Sequence, residues 1–172
     1  MTLDWRDQKD NYFRSSDNSP IVNRDSFTAL SYFDPDIKYK IKAHITRLKA
    51  TDTLTMLRTD GEIDHYLKFA IATFSIRKKE YQLTLFKPLR DTVNKNVMFV
   101  PFTDNSNGET TYKAGRYMDI ELNKPDEVTL DFNYAYNPFC AYNPRFSCPI
   151  PPRENHLDTK IQAGEKFIEK SE

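Results

Sequence analysis

The sequence predicts a single all-β domain, an antiparallel barrel or sandwich of about seven strands. Residues 37–45 alternate between apolar and polar side chains, which is typical of a half-buried antiparallel strand. Further strand-like runs follow at short intervals, separated by turn-forming residues and by no helical pattern, which argues against an α/β fold. These runs cover residues 54–57, 66–76, 81–86, 97–102, 111–122 and 128–134. A chain of 172 residues is expected to form one domain spanning residues 1–172.

A short amphipathic helix is expected before the first strand. Trp5, Lys9, Tyr12 and Phe13 are spaced along one side of a helix, and turn formers then lead to Pro20. Within residues 66–76 the apolar side chains change from odd-numbered to even-numbered positions, and a β-bulge near Ala72 would explain this change.

Two segments follow the last predicted strand. Residues 135–153 contain five prolines and several aromatic residues, so we expect an ordered coil packed on the sheet. From about Glu154, one face of a helix would carry apolar or small residues, which predicts a C-terminal helix. The residues on that face are Leu157, Ile161, Gly164 and Ile168.

Composition narrows the possible partners. The 25 basic and 25 acidic residues balance, so the chain lacks the electrostatic signature of a nucleic-acid-binding protein. No apolar run approaches the ~20 residues that span a bilayer, and no basic segment followed by an apolar stretch opens the sequence. We therefore expect a cytoplasmic protein with no nucleic-acid or membrane partner. Its oligomeric state is left open.

The sequence identifies no cofactor and predicts no metal site. Cys140 and Cys148 bracket seven residues, wider than the usual spacing of a zinc-binding pair. Two buried thiols are the favoured interpretation of this pair, and a disulfide is the alternative. Residues 104–108 are rich in oxygen ligands but lack the spacing of a calcium loop.

A hairpin between residues 111–122 and 128–134 is the most informative prediction for function. Pairing Leu122 with Val128 would place Asp119 directly across from Asp131. Like charges in such positions destabilise a sheet unless a basic group, a shared proton or a cation bridges them. The pair is thus either a polar pocket or two independent surface carboxylates in a shifted register.

A polar set of residues surrounds the proline-rich coil. Asparagine side chains either satisfy the backbone of the coil or line a pocket for a small polar ligand. The candidate ligand-binding residues are Arg116, Tyr117, Asp119, Asp131, Asn133, Tyr136, Asn137, Asn143 and Asn155.

Three functional hypotheses follow. The first is a non-enzymatic binding module that holds a small polar ligand between the sheet and residues 135–153. The second is a hydrolytic or metal-assisted enzyme that uses Asp119 and Asp131. The third is a purely structural or partner-binding protein.

Several short segments in the second half of the chain form a recognisable series. They are Asp104-Asn105-Ser106-Asn107-Gly108, Thr111-Tyr112, Gly115-Arg116-Tyr117, Leu130-Asp131-Phe132-Asn133, Ala135-Tyr136-Asn137-Pro138, Cys140-Ala141-Tyr142, Cys148-Pro149-Ile150-Pro151-Pro152, Glu154-Asn155 and Ala163-Gly164-Glu165. In these segments the chain resembles the domain of unknown function 1684 family, and a weaker likeness extends back to Ser19-Pro20. It departs from the family at Arg77-Lys78-Lys79, where relatives usually have a glycine-containing turn, and at His156. The resemblance implies a fold and no established chemistry.

Overall fold

The computed structural model describes residues 2–89 and 96–167, which form a curled antiparallel half-barrel sheet with one N-terminal helix. The mostly-β fold and the N-terminal helix are therefore confirmed. No helix among these residues is long and apolar enough to cross a membrane. The elements are α1 (Thr2–Ser15), β1 (Lys40–Arg47), β2 (Thr53–Leu57), β3 (Ile63–Ile76), β4 (Lys79–Pro88), β5 (Val97–Asp104), β6 (Arg116–Glu121), β7 (Glu127–Asp131) and β8 (His156–Leu157).

The eight strands form one sheet in the order β6-β5-β4-β3-β1-β7, so β6 and β7 are its two end strands. Strand β2 pairs with β3, and the two-residue β8 pairs with β5 in parallel. Strand β1 begins later than its alternation suggests, because Ile37–Tyr39 form a 3₁₀ turn capped by the Asp36 side chain. The register shift in β3 lies between Lys68 and Ala70, slightly before the predicted bulge position.

The predicted hairpin between β6 and β7 is wrong. Asp119 lies opposite Phe99 of β5, and Asp131 lies opposite Lys40 of β1. Opposite charges favour the observed pairing, because it brings the lysine face of β1 against the acidic face of β7. The Nζ atoms of Lys40 and Lys42 lie 3.9 Å from carboxylate oxygens of Asp131 and Glu127, respectively.

The predicted C-terminal helix is also wrong within the described residues, and Ile168 lies outside them. Residues Arg153–Asn155 form one 3₁₀ turn, β8 follows, and residues 158–167 run without a helix. The backbone here bonds to distant segments: Glu165 N donates to Ala135 O, and Gly164 O accepts from Phe33 N. Gly164 has a φ of +77°, and a Cβ there would lie 2.5 Å from Ala135 O.

Residues 157–165, which we call the strap, complete the hydrophobic core. Apolar side chains of six strands cover the concave face of the half-barrel, and the strap packs into it. Leu157, Ile161 and Ala163 are almost completely buried there. The one-sided apolar pattern that predicted a helix thus reflects a strap that lies across the open side of the sheet.

A buried ion pair fixes the strap. Arg116 and Asp104 have no exposed side-chain surface, and their Nη2 and Oδ2 atoms are 2.9 Å apart. The guanidinium also donates to the carbonyl oxygens of Ile161, Ala163 and Glu165. Desolvation lowers the pKa of Arg116, and the nearby Asp104 carboxylate raises it. The pair therefore joins β5, β6 and the strap at one point.

We expect Arg116→Met to destabilise the protein by roughly 3–5 kcal/mol, because it leaves the Asp104 carboxylate buried without its counter-charge. Urea unfolding followed by circular dichroism measures the change. Lys79→Met is the matched control: it breaks an ion pair with Asp158 in which both side chains are more than half exposed, and should leave stability nearly unchanged. Equal effects from the two substitutions would contradict the anchoring role.

Candidate functional site

A cleft separates the two end strands of the sheet next to residues 135–153, the segment predicted as a coil. We call it the seam cleft. Its volume is about 320 Å³. Next to the cleft, the backbone of Tyr117 pairs with that of Tyr136 through two hydrogen bonds of 2.9 Å. Hydrogen-bonding directions alternate from residue to residue along a strand. The backbone groups of Asp119 and Glu121 therefore point to the same edge of β6 as those of Tyr117. The lining residues are Lys40, Met118, Asp119, Ile120, Glu121, Thr129, Asp131 and Tyr134.

Asp119 and Asp131 thus line one cleft, although they are not partners in a hairpin. One Asp131 oxygen, Oδ1, accepts hydrogen bonds from the backbone N–H and the Nδ2 of Asn133, at 3.2 and 2.8 Å. Its other oxygen lies 3.9 Å from Lys40 Nζ. With Glu121, the cleft has three carboxylates and one ammonium group in its lining.

Asp119 has a different environment. Its Oδ2 accepts a hydrogen bond of 2.8 Å from the Tyr136 hydroxyl. The outer side of the residue is open to solvent, but the protein around the carboxyl group displaces part of its water. This desolvation raises the pKa of Asp119, whereas the Tyr136 hydrogen bond and the charge of Lys9 lower it.

A second polar cluster lies beneath α1 and centres on the buried carboxylate of Glu165. Its Oε2 accepts hydrogen bonds from the Asn137 backbone N–H (2.7 Å) and the Tyr142 hydroxyl (2.9 Å). Its Oε1 forms an ion pair with Lys9 of α1. We call Glu165, Asn137, Tyr142 and Lys9 the Glu165 cluster. Burial and the Glu165 charge raise the pKa of Tyr142.

Aromatic rings surround the Lys9 ammonium group. Its Nζ lies 4.6 Å from the ring centroid of Tyr136, and 5.4 Å from those of Trp5 and Phe13. A cation enclosed by π-faces and a carboxylate is a common geometry for ammonium recognition. Tyr136 connects the two polar regions, because its ring faces Lys9 while its hydroxyl binds Asp119.

Three of the predicted ligand-binding residues have their side-chain groups bonded within the fold. Arg116 anchors the strap. The Asn133 amide bonds to the backbone N–H and C=O of Asp36. The Asn155 amide bonds to both backbone groups of Thr84 and to Pro101 O, and so joins β4 to β5.

Two further predicted residues lie at the coil. The Tyr117 side chain is buried, and its hydroxyl donates to Pro149 O, which attaches the coil to β6. Asn143 accepts a hydrogen bond from the backbone N–H of Arg145 in a local turn. Of the nine candidates, Asp119 and Asp131 line the seam cleft, Asn137 belongs to the Glu165 cluster, and Tyr136 contacts both regions.

The sequence interpretation missed Lys9, Lys40, Tyr142 and Glu165. A signal for Lys9 was present, since a charged residue falls within the otherwise aromatic side of α1. Glu165 lies in one of the segments that carry the family resemblance, Ala163-Gly164-Glu165, but only the tertiary structure shows that it is buried. Among residues 2–89 and 96–167, no group of three His, Cys, Asp or Glu side chains converges as a metal site requires.

Cys140 and Cys148 are free thiols within the coil. The backbone N–H of Cys140 donates to Cys148 Sγ at 3.3 Å. A hydrogen bond from the Cys140 thiol lowers the pKa of Cys148 to about 7, and the same bond raises the pKa of Cys140. The pKa values of the two thiols are therefore shifted in opposite directions.

Comparisons with known proteins agree with the resemblance seen in the sequence. The family described as "Protein of unknown function (DUF1684)" matches residues 25–166. The chain is similar to an uncharacterized protein of Haloarcula marismortui whose structure was solved by solution NMR. The two are 39% identical with a TM-score of 0.75, and the match covers 96% of each chain. No curated protein matches.

We expect the Asp119 carboxyl group to titrate above the ordinary aspartate value of about 3.9. Tyr136→Phe should raise this pKa further, because the lost hydrogen bond favours the ionised form. The protonated carboxyl stabilises the fold at acid pH, and this contribution is lost as the pH rises through the folded-state pKa. Carboxyl-carbon NMR measures the midpoint. Tyr81→Phe, whose hydroxyl bonds to Asp158 O, is the control and should leave the midpoint unchanged.

The Cys148 thiol should ionise with a midpoint near 7, as its lowered pKa indicates. Cys140→Ala removes the thiol donor and should move this midpoint upward, toward an ordinary cysteine. Thiolate absorbance in the ultraviolet follows the titration, and Cys148→Ala should remove the neutral-pH transition altogether. A transition near pH 7 that persists in Cys148→Ala would show that Cys148 is not the thiol that titrates there.

Proposed function

The chain belongs to the DUF1684 family, whose function is unknown, and we propose that it is a binding module for a small polar ligand that carries a positive charge. The proposed site is the seam cleft between β6 and β7, next to Tyr136, whose hydroxyl binds Asp119. The observation that carries the proposal is the charge of this cleft: Asp119, Glu121 and Asp131 line it, with Lys40 as their counter-charge.

The cleft offers the contacts that a small cationic ligand needs. Asp131 is held in one orientation by the two Asn133 donors, and the Tyr136 hydroxyl holds Asp119. Carboxylates fixed in this way bind a charged donor without first losing side-chain freedom. Tyr134 supplies an aromatic wall, and the open backbone edge of β6 supplies hydrogen-bonding groups.

A larger depression on the outer surface is a weaker candidate. Its volume is about 660 Å³, and it is lined by residues of β2, β3 and β4, by the segment before β2 and by Glu154. Its single lysine, Lys68, forms an ion pair of 2.8 Å with Glu154, which leaves Asp52 as the one other charged residue of the lining. The seam cleft has the greater excess of negative charge, with three carboxylates to one lysine.

The alternative proposal is an enzyme that uses Asp119 and Asp131. The different environments of the two carboxylates favour it: desolvation raises the pKa of Asp119, and Asp131 is close to a lysine. Such a difference suits one carboxyl group to donate a proton and the other to act as a base. Chemical change in a bound ligand, lost in Asp119→Asn, would favour the enzyme over the binding module.

Agmatine, which combines a guanidinium with an ammonium group, is a suitable first probe. We expect it to shift amide NMR signals in residues 117–121 and 129–134. Asp131→Asn should weaken binding roughly tenfold, the effect of losing one charge-assisted hydrogen bond. Asp158→Asn is the matched control, because Asp158 is an exposed carboxylate that also pairs with a lysine.

Equal weakening by the two substitutions would show that agmatine responds only to the overall charge. No shift in the seam residues at any agmatine concentration would contradict a cationic ligand at this cleft. Native mass spectrometry of gently purified protein provides the independent measurement, since a co-purifying small cation would identify the ligand class directly.

A further inference from the structure

We propose that the Glu165 cluster is a second binding site, specific for a primary alkylammonium group, and that Lys9 of α1 occupies it as an intramolecular substitute for the ligand. The ligand class is a small primary amine. This site is distinct from the seam cleft, and the proposal does not depend on ligand binding there.

The first argument is that the Glu165 carboxylate is buried and already held in place by other groups of the protein. The Glu165 carboxylate is fully buried, while the Lys9 side chain retains 13% of its surface. Burying a carboxylate is costly, and a single side-chain ammonium group meets its Oε1 atom. The Asn137 N–H and the Tyr142 hydroxyl hold Oε2, so the carboxylate keeps its orientation independently of Lys9.

The second argument is that Lys9 and the groups that bind it come from different parts of the chain. Glu165, Asn137, Tyr142 and Tyr136 lie within the segment that matches the family, residues 25–166, whereas α1 precedes it. The acceptor groups of the site therefore lie within the family segment, and the cation comes from the helix that precedes this segment.

The third argument is that the polar contacts of α1 are incomplete, although Phe13 anchors the helix in an apolar environment. Its described hydrogen bonds to the rest of the protein involve side chains, such as Asp10 to the Leu30 N–H at 3.0 Å. Buried Arg6 stacks on Tyr32 at 4.4 Å, yet its Nε and Nη2 atoms and the Tyr32 hydroxyl have no hydrogen-bond partner among the described residues. Unsatisfied buried donors lower the stability of the docked helix. A ligand that replaces Lys9 therefore competes with a helix whose polar contacts are incomplete.

The test uses n-butylammonium, which reproduces the end of a lysine side chain, at constant ionic strength. Trp5 is the single tryptophan of the chain and contacts Lys9, so its fluorescence reports on the site. In the full-length wild-type protein we expect a saturable change in Trp5 emission and faster amide hydrogen exchange in residues 2–15. An unchanged emission and unchanged exchange up to saturating amine would overturn the proposal.

Lys9→Ala removes the intramolecular competitor, which acts at a high effective concentration, and should tighten n-butylammonium binding by about tenfold or more. Glu165→Gln added to Lys9→Ala should abolish the binding. Neutral n-butanol is the matched control for filling of the apolar space. Equal binding of n-butanol, or binding that survives Glu165→Gln, would reduce the site to a nonspecific cavity.

Lys9→Met replaces Lys9→Ala if the alanine variant does not fold. It keeps the apolar stem of the side chain and leaves only the ammonium position open, so the ammonium ion becomes the probe. Saturable stabilisation of Lys9→Met by ammonium chloride, with no response to sodium chloride at the same ionic strength, supports the proposal. Equal responses to the two compounds contradict it.

Discussion

The buried ion pair between Arg116 and Asp104 is the interaction on which the rest of the structure depends. Removing a guanidinium and a carboxylate from water is unfavourable, and hydrogen bonds to both groups offset this cost, although Arg116 Nε has no partner among the described residues. Ser106 N–H and Ile161 N–H donate to Asp104. Arg116 meanwhile binds three strap carbonyls. These bonds satisfy backbone groups that a strap without regular secondary structure would otherwise leave unpaired inside the core.

Both candidate sites derive their geometry from the strap. Its last residue, Glu165, is brought beneath α1, and the backbone of the same residue bonds to Ala135 at the start of the coil. Tyr136, the residue after Ala135, pairs with β6, and its hydroxyl donates to Asp119. The ion pair, the strap, the coil and the seam cleft thus form one chain of contacts.

The strands were predictable because the alternation of residues 37–45 and of later runs is a local property of the sequence. The partners of β6 and β7 were not predictable. These two strands follow one another in the chain, but β6 pairs with β5, and β7 pairs with β1, where opposite charges favour the pairing. The C-terminal helix failed because the backbone of residues 158–167 bonds to distant segments, which no periodicity records. Asp119 and Asp131 line one cleft, but for a reason other than the predicted hairpin. Glu165 and Lys9, 156 residues apart, could be joined only by the tertiary fold.

The position of the strap in the chain has a consequence for biosynthesis. A ribosome releases all the long strands before it releases residues 157–165, so the half-barrel emerges with its apolar concave face uncovered. The core then closes through contacts between residues that are far apart in sequence, which are slow to form. During this interval the nascent protein exposes an apolar surface of the kind that promotes aggregation. The core of this chain therefore closes only after residues 157–165 have left the ribosome.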